Sequence, residues 1–159
     1  MLVKPDLTVE TAYDVSPSLL RSHGRSALMV DLDDTVIPSN SNTMAPPFRN
    51  WFEQLEEGGV GVLILSNGRP ARVDHWANIL GVEGLALVGK PFSFAFARGL
   101  RRLKMSPSET AMVGDQLFTD VLGANLAGIL SILVRPLTAG LLPHTRLTRR
   151  LEDLILKRG

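Results

Sequence analysis

The stretch "ALMVDLDDTVIP", residues 27–38, sets Asp31, Asp33 and Asp34 at the end of an apolar run. Ionised carboxylates repel one another and are costly to hold away from water. Such a cluster is either a solvated turn or the seat of a cation and of chemistry. A calcium loop of the EF-hand type would need Gly at its sixth position and Glu at its twelfth. Counted from Asp31, those positions hold Val36 and Asn42, so that reading fails.

Outward from this stretch, short apolar runs alternate with helical patterns. Residues 27–32 read as a first buried strand, 60–65 ("VGVLIL") as a second, 85–88 ("LALV") as a third, 111–114 ("AMVG") as a fourth and 129–134 ("ILSILV") as a fifth. Between the first two, "SNSNTMAPP" is dense in turn residues. Phe48, Trp51, Phe52 and Leu55 then recur at i, i+3, i+4 and i+7, the stripe of an amphipathic helix closed by Gly58 and Gly59. Val73, Trp76, Ala77 and Leu80 form a second stripe, closed by Gly81. Further helices are expected over 92–103 and 118–128, and "SPSE" (106–109) has the form of a capping box. Continuously apolar strands alternating with helices predict a mainly parallel five-stranded sheet covered on both faces, a Rossmann-like three-layer α/β/α sandwich.

The 159 residues suffice for one core, and the expected organisation is a single domain over 1–159. A hydrophobic content of 45% with 21% charged residues is that of an ordinary soluble globular protein. The formal net charge of +1 speaks against dedicated nucleic-acid binding. With no cysteine there is no disulfide, thiolate nucleophile or cysteine-bound zinc. No apolar run approaches the roughly 18 residues of a membrane span, and residues 1–15 hold no continuous apolar segment of the secretory kind. The expected location is cytoplasmic.

In a parallel sheet the ligand site lies at the carboxyl ends of the strands. There the first strand offers Asp31, Asp33, Asp34 and Thr35, the second Ser66 and Asn67, the third Lys90, and the fourth Asp115 with Asp120 close behind. Each has a plainer reading when taken singly. The aspartates of the first strand end could be polar turn residues, Ser66 a turn hydroxyl, Lys90 a solvated charge, and Asp115 and Asp120 helix caps. Their order along successive strand ends is what a set of plain readings does not explain.

In that order the motifs "DLDDT", "LSNG", "GKP" and "GDQLFTD" resemble those of the haloacid dehalogenase-like hydrolase superfamily, subfamily IIIA. The resemblance covers about residues 27–134. "KPDLTVETAYDV" and "HTRLTRRLEDLIL" add a likeness to its YqeG-type branch, which is similar to the phosphatidylglycerophosphate phosphatases. The resemblance implies a Mg²⁺-dependent phosphomonoester hydrolase with Asp31 as nucleophile, forming an aspartyl-phosphate, and Asp33 as acid and base. It implies a metal held by Asp31, the Asp33 backbone carbonyl and Asp115, and a substrate phosphate held by Ser66, Asn67 and Lys90. Thr35 and Asp120 would be supporting residues. A hard cation between carboxylates and phosphate oxygens removes the repulsion that a dianionic ester would otherwise meet. Asp34 departs from the branch, which more often has Asn there.

Two other readings keep the residues in different roles. A receiver-like phosphoacceptor module also uses carboxylates, a hydroxyl and a lysine, but would carry an Asp where Ser66 stands. A phosphatase of this kind could also act on a phosphoprotein, nucleotide or sugar phosphate. Only 35 positions separate Asp31 from Ser66 and 24 separate Ser66 from Lys90, too few for a cap domain. An open site suits a substrate presented on a surface, so the expected partner is a phosphorylated membrane lipid headgroup, phosphatidylglycerophosphate. Leu147, Leu151, Leu154 and Ile155, flanked by Arg146, Arg149, Arg150, Lys157 and Arg158, predict a basic amphipathic helix over about 145–157, which either packs on the sheet with its charges in solvent, the plainer reading, or offers a peripheral membrane contact. "RGLRRLK" (98–104) is a second basic cluster.

Overall fold

The computed structural model describes residues 2–138. The expected C-terminal helix at about 145–157 lies outside the described residues. Six parallel strands form one sheet in the order β1-β6-β5-β2-β3-β4. They are β1 (Leu7–Val9), β2 (Ala27–Val30), β3 (Gly61–Leu65), β4 (Glu83–Leu85), β5 (Thr110–Gly114) and β6 (Leu130–Val134). The helices are α1 (Pro17–Ser22), α2 (Pro46–Glu57), α3 (Pro70–Leu80), α4 (Ser93–Leu103) and α5 (Leu122–Leu126).

The strand periodicity of two sorts the core onto the two faces of the sheet. Leu28, Val30 and Ile64 pack in one cluster with Phe48, Trp51, Phe52 and Leu55 of α2 and with Val73, Trp76 and Ala77 of α3. Met29, Leu63 and Leu65, on alternate positions, pack in the other with Ala95 and Phe96 of α4 and Ala124 of α5. The expected three layers follow. Both helical stripes read from the sequence lie in the first cluster, and Trp51 also donates its indole N–H to the Val15 carbonyl at 2.8 Å.

Three expectations need correction in detail. The sheet has six strands rather than five. The sixth, β1, is an edge strand of three residues only, too short and too exposed to give a burial pattern. It pairs with β6 from Leu7↔Ile132 to Val9↔Val134, and reciprocal bonds between Asp6 and Ser131 fasten its start. The third predicted strand was placed at 85–88, whereas β4 spans Glu83–Leu85. Leu87 and Gly89 both adopt positive φ, which ends the extended run. The helix expected over 118–128 begins instead as one wide π-type turn, Leu117–Val121, before α5.

Register brings the strand ends level. Val30 of β2 is opposite Ile64 of β3 and Val113 of β5. Asp31, Leu65 and Gly114 therefore come next on three adjacent strands. After β2 the chain builds outward through β3 and β4, then returns to the other side of β2 for β5 and β6. β2 is thus the point where strand order reverses, where an open α/β sheet leaves a crevice for ligand.

Candidate active site

Asp31 leaves β2 into this crevice with a largely buried side chain. Its Oδ1 accepts a hydrogen bond from Lys90 Nζ at 2.9 Å. The same ammonium donates to Asp120 Oδ1 at 2.7 Å and to the Leu65 carbonyl at 2.8 Å, so all three of its protons have partners. The Thr35 hydroxyl lies 3.3 Å from both Asp31 Oδ2 and Asp115 Oδ1, joining the ends of β2 and β5. Asp31, Asp115 and Asp120 can bring one carboxylate oxygen each within 4.8 Å of one another.

Burial disfavours charge on Lys90, but Asp120 and Asp31 outweigh it and hold the ammonium well above its ordinary range. Lys90 is therefore a fixed positive charge at any working pH. Asp120 moves the other way from a usual ion-paired carboxylate: burial and the nearby Asp31 raise it, against Lys90 and the Gln116 N–H. Three buried carboxylates against one ammonium carry a formal charge of −2. That donor set, all hard oxygens from different strand ends, fits a divalent cation such as Mg²⁺.

Asp33 stands apart from this buried set. Its side chain is 34% exposed against 11% for Asp31, and it accepts from Arg72 Nε at 2.8 Å. Desolvation raises its carboxyl above the ordinary value, with Arg72 opposing. Two carboxylates two residues apart thus have different environments, one packed against a buried lysine and one half-exposed and nearer to accepting a proton.

The remaining expected residues support the loops. Ser66 is buried, and its Oγ accepts from the Gly68 N–H at 2.9 Å, leaving its own proton to donate. Asn67 commits its side-chain amide to the lysine loop. Its Oδ1 accepts from the N–H groups of Gly89 and Lys90, and its Nδ2 donates to the Lys90 carbonyl. Asp120 Oδ2 also accepts from the Gln116 N–H. All the expected site residues therefore gather at one edge, Asn67 as a clamp on the chain that carries Lys90.

Asp34, the residue without a role in the sequence reading, has a structural one. It adopts φ +63°, a left-handed conformation that Asn and Asp tolerate best after Gly. Its Oδ1 accepts from the Ser39 N–H at 2.9 Å and from the Thr138 hydroxyl at 2.5 Å. An Asn here would tolerate the same conformation and keep the same acceptor oxygen. Asp34→Asn is expected to keep the fold and near-normal turnover, whereas Asp34→Ala should lose about 1–2 kcal/mol in denaturant unfolding. Equal stability of the two variants would remove this account.

Arg72 was not singled out from the sequence. Besides Asp33 it donates to the Asn42 side chain at 3.0 Å and to the Pro38 and Ser41 carbonyls. One guanidinium thus fastens the segment 38–42 to the start of α3. The signal was faint, a basic residue in the first turn of the helix that follows the second site strand.

Comparison with known proteins places the chain in a family. A family model described as haloacid dehalogenase-like hydrolase matches residues 1–128. The chain is 33% identical over 152 residues to the "Probable phosphatase YqeG" of Bacillus subtilis (strain 168), covering 96% of this chain and 88% of that protein. It is 30% identical over 167 residues to the chloroplastic/mitochondrial phosphatidylglycerophosphate phosphatase 1 of Arabidopsis thaliana, covering 98% of this chain and 48% of that protein. The chain spans about half the length of this second relative. Among solved structures, the cobalt-bound deoxy-D-mannose-octulosonate 8-phosphate phosphatase of Haemophilus influenzae superposes with a TM-score of 0.57 at 12% identity, over 85% of this chain and 89% of that one. That likeness is one of fold.

Proposed function

The chain belongs to the haloacid dehalogenase-like hydrolases and is a phosphatase, and from that premise we propose that it cleaves the phosphomonoester of a lipid headgroup, phosphatidylglycerophosphate, through an aspartyl-phosphate on Asp31. The observation that carries the catalytic reading is the convergence on Asp31. Lys90 binds its one oxygen and Thr35 its other, so the carboxylate is fixed in direction. An Asp31 oxygen forms the new bond to phosphorus as the ester oxygen leaves. Asp33, whose burial favours the neutral form, gives its proton to that departing alcohol. It then takes a proton from the water that attacks the aspartyl-phosphate, and inorganic phosphate leaves. Ser66 is the donor for a phosphoryl oxygen, Lys90 supplies a fixed positive charge beside it, and the Asn67 clamp keeps Lys90 in place.

The metal would be Mg²⁺, held by Asp31, the Asp33 carbonyl and Asp115, with Asp120 beside them. When bound it supplies positive charge against the phosphoryl oxygens and offsets the repulsion between ester and carboxylates.

The lipid substrate draws on the second relative and on the open edge. Among the described residues, α2 lies between Asp31 and Ser66, and α3 with β4 lies between Ser66 and Lys90, with no inserted domain. The deciding experiment compares turnover of phosphatidylglycerophosphate in anionic vesicles with a panel of soluble phosphate esters, sugar phosphates, nucleotides and a phosphopeptide. Preference for the lipid is expected. A preferred soluble ester would remove the lipid assignment and leave the phosphatase intact.

Proton linkage gives a second test. Burial raises Asp120 to about 6, so the folded protein takes up this proton before the unfolded chain does. In metal-free protein the Asp120 contribution to stability should therefore grow as pH falls from about 6 toward the ordinary carboxyl range. Mg²⁺ competes with that proton, so its stabilising effect should shrink over the same window. Thermal unfolding of the protein and of Asp120→Asn, with and without Mg²⁺, reads both slopes. A Mg²⁺ effect that grew on acidification would contradict the site.

A further inference from the structure

The loop that carries Lys90 also carries the most exposed aromatic surface among the described residues. Leu87, Phe92 and Phe94 are 64%, 64% and 63% exposed. The two phenyl rings stack on each other, centroids 5.8 Å apart and 8° from parallel. Phe94 lies directly over Gly89, where an added Cβ would come within 3.0 Å of its ring. The patch is thus one residue from the lysine whose ammonium reaches Asp31. Stacking on each other leaves both rings in water, an arrangement that a soluble surface gains little from.

The helix behind the patch has matching charge. Phe94, Arg98 and Arg101 follow at i, i+4 and i+7 and share one exposed face of α4. Arg102 pairs with Glu83 at 2.5 Å, whereas Arg98 and Arg101 have no ion pair among the described residues. Aromatic side chains at one end of a helix and free arginines along the same face are what an anionic lipid surface attracts. The rings enter the headgroup boundary and the guanidinium groups stay at the phosphates.

We propose that Leu87, Phe92 and Phe94, with Arg98 and Arg101, dock this protein on an anionic bilayer and set the Lys90 edge of the site against the membrane. The inference deepens the reading of the site as a lipid-headgroup phosphatase, and rests on it for the purpose of docking. The open edge then faces its substrate without extracting it from the bilayer. None of these five side chains takes part in the chemistry, so binding and turnover separate.

The test uses the full chain with Phe92→Ser/Phe94→Ser and, separately, Arg98→Gln/Arg101→Gln. Partitioning onto mixed phosphatidylcholine–phosphatidylglycerol vesicles and onto pure phosphatidylcholine vesicles is measured beside turnover of a soluble aryl phosphate. Loss of both rings should weaken partitioning at least about tenfold. Loss of the two arginines should weaken it about tenfold on the anionic vesicles alone, a difference that raised salt abolishes. Soluble turnover should stay unchanged in both. Wild-type protein that ignores anionic vesicles, or variants that bind them like wild type, would overturn the docking surface. So would a wild-type dimer in sedimentation that the phenylalanine variant dissolves, since the patch would then join two copies. Vesicle binding lost in both variants, with no lipid turnover by wild type, would uphold docking and reject the lipid substrate.

Discussion

Asp31→Asn is expected to abolish phosphate release, lowering turnover of a soluble aryl phosphate by at least about a thousandfold while leaving the protein folded. The size follows from the two duties of this carboxylate in the proposed mechanism. A carboxamide is a far weaker nucleophile, and it also removes one of the anions around the cation. Folding should survive because Lys90 keeps Asp120 and the Leu65 carbonyl as partners. Unfolding curves measured beside activity make the distinction. Asp33→Asn provides the contrast, since its loss should fall most heavily on esters with poor leaving groups, which need the proton. If Asp31→Asn retained full activity, a covalent intermediate on this residue would be untenable. If Asp33→Asn slowed every ester alike, its acid role would go instead.

Gly114→Ala should be nearly as damaging by an entirely different route. A Cβ at Gly114 would sit 2.2 Å from Asp120 Oδ2 and 2.6 Å from Asp120 Cβ. The side chain it meets is buried and tied to Lys90 and to the Gln116 N–H, so it has nowhere to swing. Expelling Asp120 breaks a buried ion pair, for which the cost is about 3–5 kcal/mol. The methyl group should therefore cost more stability than Asp120→Asn, which keeps the shape and one acceptor. Activity should fall with it, because Lys90 loses the anchor opposite Asp31. Chemical denaturation of the three proteins decides the order. A Gly114→Ala protein as stable as wild type would mean that Asp120 is not confined as described.

Much of this was legible in the chain because periodicity and order are local. The Phe48–Leu55 stripe has one reading, and the run from Ala27 to Val30 is buried at every position as a central parallel strand must be. The chemical residues were legible because strand ends recur at a fixed edge, so knowing the strands names the edge. What escaped depended on contacts distant in sequence. β1 exists because Asp6 and Ser131, 125 positions apart, bind one another. Arg72 matters because it meets Asp33, 39 positions away. The part played by Asp34 hangs on Ser39 and Thr138, and a positive φ is not written in composition. Leu85–Val88 misled for a plainer reason. Val88 is apolar for the core and Leu87 for the exposed patch, so the run served two surfaces rather than one strand.

The fastening of residues 38–42 by Arg72 has a consequence for the entropy of binding. This segment, rich in Ser and Asn, would be a loose loop in isolation and would have to be ordered each time a substrate arrived. Three hydrogen bonds from one guanidinium, which also holds Asp33, order it beforehand, and they originate on a helix whose core face is already packed. Among the described residues there is no cap domain whose closure could assemble the site. Here that ordering is already present in the resting fold, so affinity for phosphate esters should fall sharply when Arg72 is lost.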